Sequence, residues 1–187
     1  EFMSTPFDLE SFYFLKSLNV SKIKIASFDT VNKKFLKKIS KNKTNFILSV
    51  GMSSLSEIRK AYNILSNKSK NKVSLLHCVS SYPTKERDVQ LNCISTLKNN
   101  FKCTVGYSDH TNDIFTSFSA VAMGAKIIEK HYMINSNMKC VDKPVSITEN
   151  QMKKLVLNIR RFEKSLGDGY FGVRKNEKAF KIFRRIS

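Results

Sequence analysis

The chain lacks tryptophan, long apolar runs and paired cysteines, and it has only 15 acidic residues against 33 lysines and arginines. No apolar run approaches the roughly 18 residues that cross a bilayer, which argues against a membrane protein. The four cysteines are scattered without a Cys-x-x-Cys pair, which argues against a disulfide scaffold or a paired-cysteine zinc site. No basic stretch followed by an apolar one opens the chain, so no secretory signal is predicted. We therefore expect a soluble protein of a reducing compartment, the cytoplasm.

The apolar content bounds the size of the core. Hydrophobic residues make up 41% of the 187 positions, including 14 phenylalanines, which excludes intrinsic disorder. A chain of this length forms one domain or part of one. Because it begins with Glu1 rather than methionine, we expect it to be a piece of a longer protein.

The net charge of +18 fits either a solvated surface or a polyanion-binding protein. Most lysines lie in stretches rich in Lys, Asn and Ser that precede apolar runs: 32–34, 37–43, 67–72 and 98–100. Lysines at helix ends are favoured by the helix dipole and are solvated there. We interpret the lysines in this way and expect no nucleic-acid partner. A non-catalytic basic module that binds RNA or another polyanion is the alternative function.

Short apolar runs alternate with stretches of helical periodicity along the whole chain. The runs predict six strands, at 2–4, 23–26, 46–50, 73–77, 103–106 and 125–128. The stretches between and after them predict helices over 12–18, 35–39, 55–65, 89–97, 114–123 and 149–166. Ser54 with Glu57 reads as a capping box, Thr148 opens the last helix, and Gly167 is its predicted stop. Such alternation indicates βαβ units with a parallel sheet, so the predicted class is α/β.

Polar residues follow every predicted strand. An open sheet places its ligand site at one switch point, whereas a TIM barrel gathers residues from all its strand ends. Six successive polar strand ends favour the barrel, yet such a barrel has eight strands. We therefore predict a partial TIM (β/α)8 barrel without its first two βα units over residues 1–167, followed by a linker at 168–187.

Five motifs at these strand ends resemble the sialic acid synthase family, which includes the N-acetylneuraminate, legionaminate and pseudaminate synthases. The motifs stand at 24–27, 49–52, 77–83, 106–111 and 128–132. The resemblance implies barrel strands three to eight, with the chain stopping before a C-terminal antifreeze-like domain, and a homodimer for the full-length protein.

The resemblance also implies a reaction. Phosphoenolpyruvate condenses with an N-acetylmannosamine-type aldose to give a nonulosonic acid, and phosphate leaves by C–O cleavage. A synthase of the shikimate or octulosonate pathway would share the substrate but lack the 108–111 motif. Family residues on the missing strands and in the antifreeze-like domain are absent, so the piece is expected to be inactive alone.

His110 and His131 are the candidate metal ligands. They follow the last two predicted strands, which are neighbours, so the two imidazoles can converge. A pair of imidazoles with open positions favours a divalent ion that takes oxygen ligands as well, and we expect Mn²⁺. His77, inside a strand, is interpreted as a satisfied core histidine.

A phosphoenolpyruvate cradle is predicted from one lysine and five hydroxyls. Lys24 lies inside an apolar strand, a costly position unless its ammonium meets an anion. In the family the matching positions bind phosphoenolpyruvate, and here they are Lys24, Thr5, Ser27, Ser49, Ser80 and Ser108.

Three further residues are assigned to the sugar by the resemblance: Asp29, Tyr82 and Asp142. Asp29 stands where family members commonly have Glu, and with Lys24 it is the predicted catalytic residue. Glu129 and Lys130 are expected to point away from the site or to pair structurally.

Overall fold

A computed structural model describes residues 1–67 and 69–185, and its centre is a parallel sheet. The strands are β1 (Lys22–Ile25), β2 (Asn45–Ser49), β3 (Val73–Cys78), β4 (Val105–Asp109) and β5 (Ile128–Lys130). They are joined in chain order, each strand parallel to the next. Because this order never reverses, the sheet lacks the switch point of a doubly wound fold. The predicted α/β class with a parallel sheet is confirmed.

One α-helix lies in each crossover between successive strands of the main sheet, as the periodicity predicted. The α-helices are α1 (Leu9–Ser17), α2 (Lys33–Ile39), α3 (Leu55–Ser66), α4 (Asn92–Asn100), α5 (Phe115–Ala122) and α6 (Glu149–Ser165). A second, two-stranded sheet of β6 (Tyr132–Met133) and β7 (Ile147–Thr148) was not predicted. It connects the end of β5 to the start of α6.

The predicted helix boundaries rest on local hydrogen bonds that the structure shows. The Ser54 backbone N–H donates to Glu57 Oε2 at 2.8 Å, and the Glu57 N–H donates back to Ser54 Oγ. Thr148 and Gln151 form the same reciprocal pair at the start of α6. Gly167 follows α6 with φ +59°, a left-handed conformation that favours glycine.

The predicted strand at 2–4 is wrong. This segment gives the sheet one hydrogen bond, from the Lys24 N–H to the Ser4 carbonyl oxygen at 3.1 Å, and forms no ladder. Phe2 is 65% exposed, so the apolar side chain that suggested a buried strand packs against little. The main sheet therefore has five strands rather than six.

The two faces of the sheet have different partners. One face packs against the helices in a core that includes Phe12, Ile23, Ile25, Leu36, Phe46, Leu48, Leu65, Leu75, Ile94 and Tyr107. Because side chains alternate along a strand, Lys24, Ser49 and Ser108 belong to the other face. This inner face is apolar at Ile47 and Leu76 and becomes polar toward the carboxyl ends of the strands.

Residues 168–185 continue beyond α6 with mostly exposed side chains and a 3-10 helix at Lys175–Phe183. The domain boundary at residue 167 stays a prediction. Within 1–67 and 69–185, no helix is both long enough and apolar enough to span a bilayer.

Candidate active site

The predicted site residues lie at the carboxyl edge of the sheet. Ser49 ends β2, Ser108 lies one residue before the end of β4, and His110 follows that strand directly. Parallel strands bring these ends to the same edge, which is why residues distant in sequence meet there.

Lys24 is the buried cation of the site. Its residue is 8% exposed, and its Nζ lies 3.4 Å from Glu129 Oε1. The Ser108 hydroxyl donates to the same Oε1 at 2.6 Å. Glu129 therefore joins Lys24 to Ser108. It forms an ion pair, which was one of the two expectations for it, and it does so beside the predicted site residues. Alternation along a strand places Glu129 on the same face as His131, two residues later, and the sequence reasoning overlooked this signal.

Ser49 carries an unsatisfied hydroxyl. The residue is 3% exposed, and its Oγ is the buried side-chain oxygen or nitrogen without a hydrogen-bond partner in the described part of the chain. A buried polar group without a partner costs about 1–3 kcal/mol. The Oγ is therefore placed to accept or donate a hydrogen bond to a ligand. Nearby, Ser27 Oγ and Ser80 Oγ lie 3.1 Å apart, which joins the ends of β1 and β3.

The turn after β2 requires a glycine. A Cβ on Gly51 would lie 2.7 Å from Ser80 Oγ and 2.8 Å from Cys78 Sγ. Real Cβ atoms do not approach so closely, so any side chain here would displace the end of β3. The absence of a side chain at Gly51 thus lets the Ser49 and Ser80 strand ends pack closely.

The two candidate metal ligands face each other. The ring centroids of His110 and His131 are 5.5 Å apart. His110 Nδ1 lies 2.7 Å from the Val79 carbonyl oxygen, and its Nε2 lies 3.4 Å from Ser108 Oγ. His131 Nδ1 lies 3.5 Å from Asp142 Oδ2. A histidine whose Nδ1–H donates to an oxygen presents Nε2 as a free ligand atom, the arrangement typical of metal-binding histidines.

The electrostatics favour a neutral imidazole at His110. Burial lowers its pKa below the ordinary value, the hydrogen bond to Val79 opposes that shift, and the neighbouring His131 lowers the pKa further. Neutral imidazole is the form that binds metal ions. His110 is thus in the ligand form at neutral pH.

The donor set fits an open metal site. Across 1–67 and 69–185, no group of three or more His, Cys, Asp and Glu side chains is arranged around one point. Two imidazoles alone leave most positions of a divalent ion to oxygen ligands from water or substrate, which suits Mn²⁺ better than a closed tetrahedral zinc site. The identity of the metal stays a prediction.

The residues assigned to the sugar differ in whether they contact the imidazole pair. The Tyr82 ring centroid lies 4.1 Å from that of His110 and 5.8 Å from that of His131, so Tyr82 covers the imidazole pair. Asp142 belongs to the same group through His131. Asp29 is buried and accepts a hydrogen bond from Asn32 Nδ2 at 2.9 Å. Thr5 is half-buried, and no hydrogen bond joins it to the other candidates within the described residues.

A family model described as the NeuB family matches residues 1–171. The chain belongs to the NeuB family. The resemblance to sialic acid synthases that the motifs predicted is thereby confirmed.

Named members of the NeuB family align with nearly all of this chain. N,N'-diacetyllegionaminic acid synthase of Campylobacter jejuni is 42% identical over 94% of this chain and 53% of its own length. Pseudaminic acid synthase of the same species is 35% identical over 97% of this chain and 53% of its own. The chain therefore spans about half the length of the curated relatives it matches.

Solved structures share the fold. N-acetylneuraminic acid (sialic acid) synthetase from Leptospira borgpetersenii superimposes with a TM-score of 0.88 at 39% identity, over 96% of this chain and 63% of that one. A DAHP synthase from Thermotoga maritima superimposes with a TM-score of 0.76 at 15% identity, which shows a common fold alone.

Two of the remaining predictions for this NeuB family member have clear outcomes. Lys130 pairs structurally, as expected, with its Nζ 3.3 Å from Asp109 Oδ2. His77 is a satisfied core residue, as expected, with Nε2 2.7 Å from the Val89 carbonyl oxygen. The sequence reasoning overlooked Asp109 as a buried anchor, although its place between two site residues was visible.

Proposed function

We propose that this chain supplies the phosphoenolpyruvate cradle and the metal ligands of a synthase that makes a nonulosonic acid. Phosphoenolpyruvate, water and an N-acetylmannosamine-type aldose react, a C–C bond forms at the aldehyde carbon, and the C–O bond to phosphate breaks. The observation that carries the proposal is the continuous row of contacts from Lys24 through Glu129 and Ser108 to the imidazole pair. The names of the relatives support the reaction class.

Lys24 and the strand-end hydroxyls are suited to an anionic substrate. A buried ammonium binds a phosphate or carboxylate oxygen through charge-assisted hydrogen bonds, which are stronger than neutral ones. Ser49 Oγ lacks a partner until a ligand arrives. Ser27, Ser80 and Ser108 add donors from three more strand ends. Together these groups bind and orient phosphoenolpyruvate at the inner face of the sheet.

His110 and His131 would hold the divalent ion, with Mn²⁺ as the proposed metal. When bound, such an ion supplies Lewis-acid polarisation of the aldehyde oxygen. Tyr82 lies beside both rings. Asp142 orients His131 and lies on the side where we place the sugar. Asp29 is proposed as the carboxylate that contacts the sugar.

The proposal includes inactivity of the isolated chain and a homodimer for the longer protein. Relatives of about twice this length carry the named activities. We propose that the complete reaction centre also draws on residues from the rest of the longer protein.

The test measures ligand binding and turnover separately. Isothermal titration calorimetry with phosphoenolpyruvate and electron paramagnetic resonance titration with Mn²⁺ are expected to show one site each. Phosphate release with N-acetylmannosamine-type sugars is expected to be absent. The variant His110→Ala plus His131→Ala should lose Mn²⁺ and keep phosphoenolpyruvate binding. If the wild type fails to bind phosphoenolpyruvate or fails to bind Mn²⁺, the proposal is overturned. Phosphate release by this chain alone would contradict only the expected inactivity of the isolated chain.

A further inference from the structure

Asp109 and Lys130 are buried charged residues that the proposed reaction does not use. Asp109 directly precedes His110, and Lys130 directly precedes His131. They are register partners on the neighbouring strands β4 and β5. Since side chains alternate along a strand, the charged pair lies on the face of the sheet opposite the imidazoles.

The pair is fully enclosed and fully bonded. Asp109 Oδ2 and Lys130 Nζ are 3.3 Å apart, and their side chains are 0% and 1% exposed. The carboxylate also accepts hydrogen bonds from Thr116 Oγ1, Ser117 Oγ and the Thr111 backbone N–H. The ammonium donates to the Thr111 carbonyl oxygen at 2.6 Å. The pair thus joins the ends of β4 and β5 to each other and to the first turn of α5.

The end of β5 needs such an anchor. This strand has three residues and, in the described part of the chain, pairs with β4 alone. A strand of three residues has few hydrogen bonds to hold its end in place. The Nδ1 partners of His110 and His131 orient each ring, but they do not fix the distance between the two strands.

We propose that Asp109 and Lys130 are positioning residues that set the separation of His110 and His131. Buried ion pairs contribute little net stability compared with apolar replacements, so a role in stability alone gives a weak account of this one. The inference rests on the proposed function insofar as the two imidazoles are metal ligands. The spacing itself is a property of the metal-free protein.

Two variants test the pair. Asp109→Asn keeps the shape but removes the charge. Asp109→Leu plus Lys130→Met replaces the pair by apolar side chains, an exchange that is often tolerated. Glu149→Gln plus Lys153→Met removes the exposed ion pair of α6, with Nζ and Oε1 2.6 Å apart, and serves as the control. Thermal melts establish whether each variant folds. One test variant that melts cooperatively is enough to test the positioning role of the pair.

The first readout is the nuclear Overhauser effect between the ring protons of His110 and His131 in metal-free protein labelled with ¹³C-histidine. The chain has three histidines, so His77 provides an internal reference. The second is Mn²⁺ affinity, because loss of groups that orient metal ligands typically costs about 10–100-fold. Folded test variants should lose the ring-to-ring signal and bind Mn²⁺ at least about tenfold more weakly, while the control keeps both.

The outcomes separate the two proposals. A folded test variant that retains both the ring-to-ring signal and the wild-type Mn²⁺ affinity overturns the positioning role. A wild type that shows the signal but binds no Mn²⁺ overturns the metal site of the proposed function. In that case, loss of the signal in the test variants still supports the positioning role.

Discussion

The Lys24 ammonium lies 3.4 Å from the Glu129 carboxylate across the mouth of the sheet. Each of these groups balances the charge of the other when no substrate anion is present. Under the proposed function, an incoming phosphate or carboxylate would share or replace Glu129 as the partner of Lys24. The ammonium that we propose as the substrate-binding cation is thus paired with an acid on β5.

Lys24→Met should weaken phosphoenolpyruvate binding by about 10–100-fold, since a hydrogen bond to a charged group contributes about 1.5–3 kcal/mol. Calorimetry at constant salt measures the change. Lys22→Met is the matched control, because Lys22 lies two residues earlier on β1 and pairs with Glu1 at the surface. Equal losses in the two variants would show that overall charge, rather than the cradle, binds the substrate.

Ser49→Ala should raise the free energy of unfolding by on the order of 1 kcal/mol and weaken phosphoenolpyruvate binding, because it removes a buried hydroxyl without a partner. Ser40→Ala provides the contrast. Ser40 is also buried, but its Oγ donates to the Lys37 carbonyl oxygen, so its loss should destabilise the protein. Urea unfolding measures both, and destabilisation of similar size in both variants would contradict the assignment of Ser49.

His77 should make the folded protein less stable as the pH falls. Burial lowers its pKa below the ordinary value, although the hydrogen bond to Val89 opposes the shift. The unfolded chain therefore binds a proton first as the pH drops through about 6.5, and this favours unfolding. Urea unfolding between pH 8 and 5.5 should show a smaller loss of stability for His77→Gln than for the wild type. Identical pH profiles would rule out this contribution.

Ser54→Ala should cost about 1 kcal/mol of stability, since the N-cap hydroxyl accepts a backbone N–H that is otherwise unpaired. Ser56→Ala is the control within the same helix, where alanine is the better helix former. Chemical denaturation is expected to separate the two variants by about that amount. A destabilised Ser56→Ala with an unchanged Ser54→Ala would contradict the capping box.

The sequence predicted the strands that are buried on both faces. It did not distinguish these strands from exposed apolar segments. The run at 73–77 matches β3, because Val73, Leu75 and Leu76 are enclosed by neighbours on both sides. The run at 2–4 has a similar composition but lies beside β1 with one hydrogen bond. Composition reports the preference for burial, whereas pairing depends on neighbours that lie elsewhere in the chain.

In the candidate site, too, some features were predictable from the sequence and others were not. The parallel order of the strands predicted that Lys24, Ser108, His110 and His131 converge, and the roles given to them came from the family resemblance. Glu129 was overlooked although it lies two residues before His131, and side chains two apart share a face of a strand. The Ser27 to Ser80 contact and the Asp29 to Asn32 bond depend on side-chain orientation in turns, which no periodicity encodes.

Tyr82 lies where its fluorescence can report the binding of an ion to the imidazole pair. The chain has no tryptophan, so its intrinsic fluorescence comes from six tyrosines, and the Tyr82 ring lies 4.1 Å from the His110 ring. A paramagnetic ion bound between the imidazoles would quench this fluorophore. The quenched fraction should shrink in Tyr82→Phe, and occupancy of the proposed metal site would then be measurable without an added dye.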